Sequence, residues 1–278
     1  MMTDFHSSDY PNGHLLADVD WLTDNLTAEG VVILDARARG YEAGHIPGAV
    51  RIDVKELKNA SGCTFAPAEA VCSLLESCGV SDSQTVVVYD DGGGVLAPRV
   101  FYVLEYFGLM DRVKLLNGGY RAWLAAGKEI STEVPTIRRG SLTLRADPKK
   151  AVTREAIEAG LDNAVLLDVR SAEEYLGKDI RSNRKGGHVP GARHLEWKEA
   201  LALPDERGVV RFKEALALRR QFEACGVHAD KTVVPYCQSN QRGAHSYFVL
   251  RLLGYADIRP YEGSWDEWGN AEHTPVEV

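Results

Sequence analysis

Short, almost continuously apolar runs alternate along this chain with longer segments of helical periodicity. Val31 to Leu34 and Thr85 to Tyr89 are rich in β-branched residues and nearly continuously apolar, the pattern of strands covered on both faces of a parallel sheet. Val165 to Leu167 and Thr232 to Tyr236 have the same character. Between these runs, Ala68 to Cys78 and Lys213 to Cys225 read as helices. Each is closed by a glycine, Gly79 or Gly226, where a left-handed C-cap is expected. Ala97 to Phe107 and Gly243 to Leu253 repeat the helical pattern and stop at Gly108 and Gly254. Strands separated by helices predict an α/β fold with doubly wound, mainly parallel sheets flanked by helices. In such sheets the ligand crevice lies beyond the carboxyl ends of the strands.

The pattern occurs twice. VVILDARARGYEAGHIPGA, from Val31, is echoed by VLLDVRSAEEYLGKDIRSNRKGGHVPGA, from Val165. LLESCGVSDSQTVVVYD, from Leu74, matches QFEACGVHADKTVVPYC, from Gln221, at a constant offset. NGGYRAW and EGSWDEW end the two copies. A repeat of this length predicts two domains, at 12–128 and 150–272. The stretch 129–149, with Pro135, Arg138, Arg139, Gly140 and Pro148, reads as the linker.

Composition narrows the classes of function. The chain has 278 residues and a formal net charge of -8, which argues against nucleic-acid or anionic-membrane binding. An anionic substrate must therefore be gripped by a local positive group. The polar start, MMTDFHSSDYPNG, lacks the basic and apolar regions of a secretory signal. No apolar run is long enough to span a membrane. The five cysteines form no CxxC pair and no zinc-like spacing, so a cytoplasmic protein with reduced thiols and no metal is expected.

One cysteine stands apart. Cys237 ends an apolar strand, and Gln238, Ser239, Asn240, Gln241 and Arg242 follow as a polar loop before a helix expected to begin near Gly243. A tight loop of this kind turns successive backbone N–H groups inward, and the helix adds its own unpaired amides. A thiolate is the form of cysteine that such donors favour. Arg242 adds a positive charge. In the first copy the matching position is Asp90, and Asp91-Gly92-Gly93-Gly94 has no arginine. Packing alone would not choose between cysteine and aspartate, so the difference marks chemistry.

The same comparison demotes other residues. Cys78 and Cys225 occupy equivalent helix ends and are expected to be inert, as are Cys63 and Cys72. His45, His188, Asp35 and Asp168 recur in both copies, so they are expected to brace loops. Trp265 and Trp268 read as core or crevice wall. Lys178, Arg181, Arg184 and Lys185 lie in an insertion of the second copy. Arg170, Lys178, Arg181 and Trp265 are the positions outside the loop best placed to approach a substrate.

The LDxR, GHIPGA-like and GG/GSW segments, with one cysteine loop in the second copy, resemble the tandem-domain rhodanese family of thiosulfate and 3-mercaptopyruvate sulfurtransferases. The resemblance implies two rhodanese-like domains, the first inactive, and a monomer that needs no cofactor. It implies a Cys237 persulfide, loaded by thiosulfate or a mercapto acid and discharged to cyanide, a small thiol or a protein thiol. The loop CQSNQR is similar to that of bacterial thiosulfate sulfurtransferases. Glu174 precedes Tyr175-Leu176-Gly177, where mercaptopyruvate enzymes place an arginine for the substrate carboxylate. Thiosulfate is the expected donor. Related cysteine phosphatases use a cysteine–arginine loop with five intervening residues; four lie between Cys237 and Arg242, a cradle too short for phosphate. A non-catalytic binding module is the other alternative.

Overall fold

The computed structural model describes residues 9–62 and 64–278. The first copy builds one five-stranded sheet from β1 (Leu16–Ala17), β2 (Val31–Asp35), β3 (Val50–Arg51), β4 (Thr85–Tyr89) and β5 (Val113–Leu116), in the order β1-β5-β4-β2-β3. All pairings are parallel. Helices α1 (Val19–Asp24), α2 (Ala68–Ser77), α3 (Leu96–Tyr106) and α4 (Gly119–Ala125) supply the crossovers and cover the faces. The second copy has β6 (Ala164–Asp168), β7 (Arg193–His194) and β8 (Thr232–Tyr236), also parallel. Its helices are α5 (Arg154–Ala159), α6 (Ala172–Tyr175), α7 (Ala215–Ala224), α8 (Gln241–Leu252) and α9 (Ser264–Trp268). The counterparts of β1 and β5 survive there only as parallel bridges, Val152 with Tyr261 and Val233 with Ile258. The α/β fold with flanked parallel sheets is the one expected.

The two copies share a core. Helices α3 and α8, the elements that follow β4 and β8, pack directly on each other: Phe101 meets Phe248 edge-on at 4.8 Å, and Tyr102 lies 4.8 Å from Tyr247. A buried carboxylate, Glu105, accepts from Tyr247 Oη at 2.6 Å and from the Arg251 guanidinium at 3.0 Å. Removing one partner of such a buried pair costs about 3–5 kcal/mol. From Gly243 onward α8 is buried on every side, since it is sandwiched between its own sheet and the other copy. That explains why its sequence carries no polar stripe.

One boundary differs from the sequence reading. Helix α8 starts at Gln241 rather than near Gly243, because Asn240 takes the left-handed conformation (φ 52°) and turns the chain early. The polar loop is thus Gln238–Asn240, with Arg242 in the first helical turn. The stretch 129–149 does not hang free. It is stitched to the first copy through Ser131 with His45, Gly140 N–H to Glu76 O, and Arg145 N–H to Phe107 O. Gly140 runs so close to Val80 O that any Cβ would collide with it.

His245, in α8, is fully buried against Trp197 and Phe212 with both ring nitrogens unpaired. Burial pushes its pKa down to about 3, so it stays neutral in the fold but binds a proton near pH 6.5 when unfolded. The sign follows: the unfolded chain gains the proton first, and stability falls as pH drops from about 6.5 toward 3. A His245→Leu variant is expected to flatten that part of the stability–pH profile in urea unfolding by up to about 1.4 kcal/mol per pH unit. An unchanged slope would show that His245 titrates normally.

Candidate functional site

Parallel pairing of β8 with β6 carries Tyr236 to the end of the sheet and leaves Cys237 just beyond it. The turn is fixed from several sides. Cys237 N–H donates to Ser264 Oγ at 3.3 Å, Cys237 O accepts from Trp265 N–H, and Gln238 O accepts from Asp266 N–H. Gln238 also bonds Asn183 and Asp266 through its amide. Gly243 is required by the tightness of the turn, since a Cβ there would strike Asn240 Oδ1. The Cys237 side chain is only 1% exposed. Gln238, Ser239, Gln241 and Arg242 around it are partly exposed, so the sulfur lies beneath a polar rim.

The first copy shows what the turn is built to hold. There the Asp90 carboxylate folds back onto its own loop and accepts from Gly92 N–H at 2.9 Å, Leu96 N–H at 3.2 Å and Ala97 N–H at 3.1 Å. The positions matching those donors are Ser239, Gly243 and Ala244. Among the described residues, none of these three amides meets an acceptor outside its own loop and helix. The first nest is filled by a side-chain anion; the second has the donors and a thiol in place of the carboxylate. Loop amides and a helix N-terminus in this arrangement stabilise negative charge on a sulfur atom.

Arg242 faces Glu174. Its two terminal nitrogens meet the carboxylate at 2.6 and 2.9 Å, a bidentate pair of the stronger kind. Glu174 is buried, receives Arg181 Nε at 2.8 Å, and closes a capping box with Ser171 at the start of α6. Burial works to raise its pKa, but hydrogen bonding to Arg242 and the two nearby cations outweigh that and hold it at about 2. Burial likewise opposes the charge on Arg242, and hydrogen bonding to Glu174 together with the field of the Cys237 sulfur overcomes it. Arg242 therefore remains a fixed cation beside the thiol.

The other sequence candidates are distributed as follows. Arg170 is buried: it grips Asp168, reaches Gly187 O at 2.6 Å, and stacks 4.4 Å from Trp265. Arg37 does the same with Asp35 and Gly44 O in the first copy, so Arg170 shares a loop-bracing contact with the copy that has no thiol. Trp265 is entirely buried. Lys178 is exposed. Arg181 is half-exposed and tied to Glu174. Lys185 caps the carbonyls of Ala271, Glu272 and Thr274. His45 and His188 each hold a backbone carbonyl at 2.9 Å and stack on Tyr41 and Tyr175. Burial raises the pKa of Cys72, Cys78 and Cys225, which disfavours their thiolates; Cys63 lies outside the described residues. The sequence reading missed Glu262, Ser264 and Asn183 as supports of the turn. Their one signal was proximity to the repeated EGSW segment and to the insertion.

A family model described as a rhodanese-like domain matches residues 18–126 and again 153–271. The chain belongs to the rhodanese family. Over 92% of its length it is 35% identical to the thiosulfate sulfurtransferase of Azotobacter vinelandii, covering 94% of that protein. It is 34% identical to the sulfur carrier protein TtuD of Thermus thermophilus, over 96% of this chain and 98% of the relative. Among solved structures it resembles EanB in complex with ergothioneine covalently linked to a persulfide cysteine. That likeness has a TM-score of 0.84 and 25% identity, over 96% of this chain and 70% of the other. As a rhodanese, the chain is a sulfurtransferase by family. Among the described residues, no helix is long and apolar enough to cross a membrane.

The filled nest of the first copy makes its own prediction. Asp90→Ala strands three amides in a loop covered by Val210 and Leu201, and is expected to cost about 1–3 kcal/mol of stability. Urea unfolding checks this, with sulfur-transfer rates staying near wild type; a rate loss as large as that of a Cys237 variant would place the chemistry in the wrong copy.

Proposed function

We propose that this chain is a thiosulfate sulfurtransferase that works through a persulfide on Cys237. The observation that carries the reading is the contrast between the nests: three amides satisfied by a carboxylate around Asp90, and three matching amides around Cys237 that, among the described residues, meet no acceptor outside their own loop and helix. In the first half-reaction the Cys237 thiolate attacks the outer sulfur of thiosulfate. The S–S bond of the donor breaks, and sulfite leaves with the electron pair. The terminal sulfur of the new persulfide carries the negative charge into the open amides, with Arg242 alongside. In the second half-reaction cyanide, a small thiol or a protein thiol attacks that sulfur, and Cys237 leaves as thiolate. Splitting the transfer this way gives ping-pong kinetics, and neither half-reaction calls for a metal or organic cofactor.

Several features favour thiosulfate as donor. Relatives of similar length bear that name. Glu174 occupies the place where a mercapto acid's carboxylate would need a cation, and its charge is held by Arg242 and Arg181. Arg181 is 48% exposed and can meet a small inorganic anion arriving at the rim. The net charge of -8 is consistent with local capture. A cytoplasmic setting, where thiols stay reduced, suits the mechanism.

Cys237→Ser is expected to abolish sulfur transfer to cyanide, whereas Cys225→Ser retains most of it. Similar residual rates in the two variants would exclude Cys237 as the nucleophile. In steady-state assays with cyanide as acceptor, kcat/KM is expected to be higher for thiosulfate than for 3-mercaptopyruvate. The reverse order would reassign the donor and leave the persulfide chemistry standing.

A further inference from the structure

The first copy has no thiol at its nest, yet two of its cations end on the catalytic loop. Lys58 Nζ donates to Ser239 O at 2.5 Å and to Gly62 O at 2.7 Å. Arg99, fully buried in the first turn of α3, pairs with Glu262 through both terminal nitrogens at 2.8 and 2.5 Å. The same guanidinium approaches Asn240 O at 3.5 Å. Glu262 in turn accepts from Asn240 Nδ2 at 2.6 Å. Arg99 thus touches the turn twice, once through a carboxylate and once directly.

The geometry of a trans peptide gives these contacts a consequence. Carbonyl and following N–H point in opposite directions. Carbonyls of Ser239 and Asn240 drawn toward the first copy leave the amides of Asn240 and Gln241 directed away from it, and fix the course of the turn between the Ser239 amide and those of Gly243 and Ala244. Asn240 also sits at φ 52°, a conformation that is unfavourable for a non-glycine residue. Charge-assisted hydrogen bonds to its carbonyl and side chain oppose that preference. The reverse contact has different chemistry: the second copy meets the Asp90 loop with Val210 and Leu201 packed over Gly93. Apolar chains cover the loop that needs no help, and cations hold the loop that carries the thiol.

We propose that Arg99 is a positioning residue for sulfur transfer, acting from the first domain. Together with Glu262 it holds Asn240 in the left-handed turn that keeps the loop amides aimed at sulfur on Cys237, and Lys58 is a second tether. The proposal rests on the reading of Cys237 as nucleophile and assigns the thiol-free copy a part in the reaction.

The test removes the pair without stranding a buried charge. Arg99→Met with Glu262→Gln is compared with wild type in single-turnover persulfide formation at increasing thiosulfate, read by mass, with thermal unfolding alongside. The expected result is a maximal loading rate down about tenfold or more, a half-saturating thiosulfate concentration changed less than about threefold, and a Tm within a few degrees. Arg99→Lys keeps the charge opposite Glu262 but cannot also reach the Asn240 carbonyl, and is expected to load about threefold slower. Wild-type loading by the folded double variant overturns the proposal, as does a rate loss that only tracks the loss of folded protein. Should the double variant fail to fold, wild-type loading by Arg99→Lys overturns it equally. Wild-type protein that gains no sulfur on Cys237 overturns the nucleophile reading itself, and this proposal with it.

Discussion

Main-chain amides left over where a buried parallel strand reverses into a helix must find an acceptor, and this molecule meets that need in two ways. After β4 the acceptor is covalently supplied, as the carboxylate of Asp90. After β8 it is not, and a thiol stands at the same place. Everything around the second turn serves to keep that set of donors in position without filling it. Ser264, Trp265 and Asp266 hold the backbone of Cys237 and Gln238, Gly243 leaves room for the turn, and Glu174 fixes Arg242.

Duplication explains why such a site can exist within an acidic chain. One copy retains a nest satisfied by its own side chain and serves as a stable platform, joined to the other through α3, α8 and the Glu105–Arg251–Tyr247 cluster. The other carries the thiol, and Lys58 and Arg99 of its neighbour reach the carbonyls of its loop. Local cations, rather than the overall field, then act on the sulfur: Arg242 from the second copy and Arg99 from the first.

Much of this was legible in the residues. Continuous β-branched runs and glycine-ended helices gave the parallel α/β architecture, because strand burial and helix capping are local in sequence. The Cys237–Asp90 contrast was legible because the repeat supplies its own reference. What escaped has a physical reason in each case. The start of α8 depended on one left-handed asparagine, which sequence periodicity does not register. The stacking of Arg170 on Trp265 depends on packing between distant segments, which no local pattern records. Glu174 and Arg242 lie 68 positions apart, and Arg99 and Glu262 lie 163 apart; pairs this distant are set by packing between elements and copies, not by any local pattern.

The central claim is that the open nest exists to hold sulfur on Cys237, and the mass of the protein tests it most directly. Incubation with thiosulfate, followed by intact-mass measurement and peptide mapping, is predicted to show a gain of one sulfur atom on the peptide that carries Cys237. That gain should disappear on adding cyanide. No gain, or a gain mapped to Cys72, Cys78 or Cys225 in place of Cys237, would contradict the account.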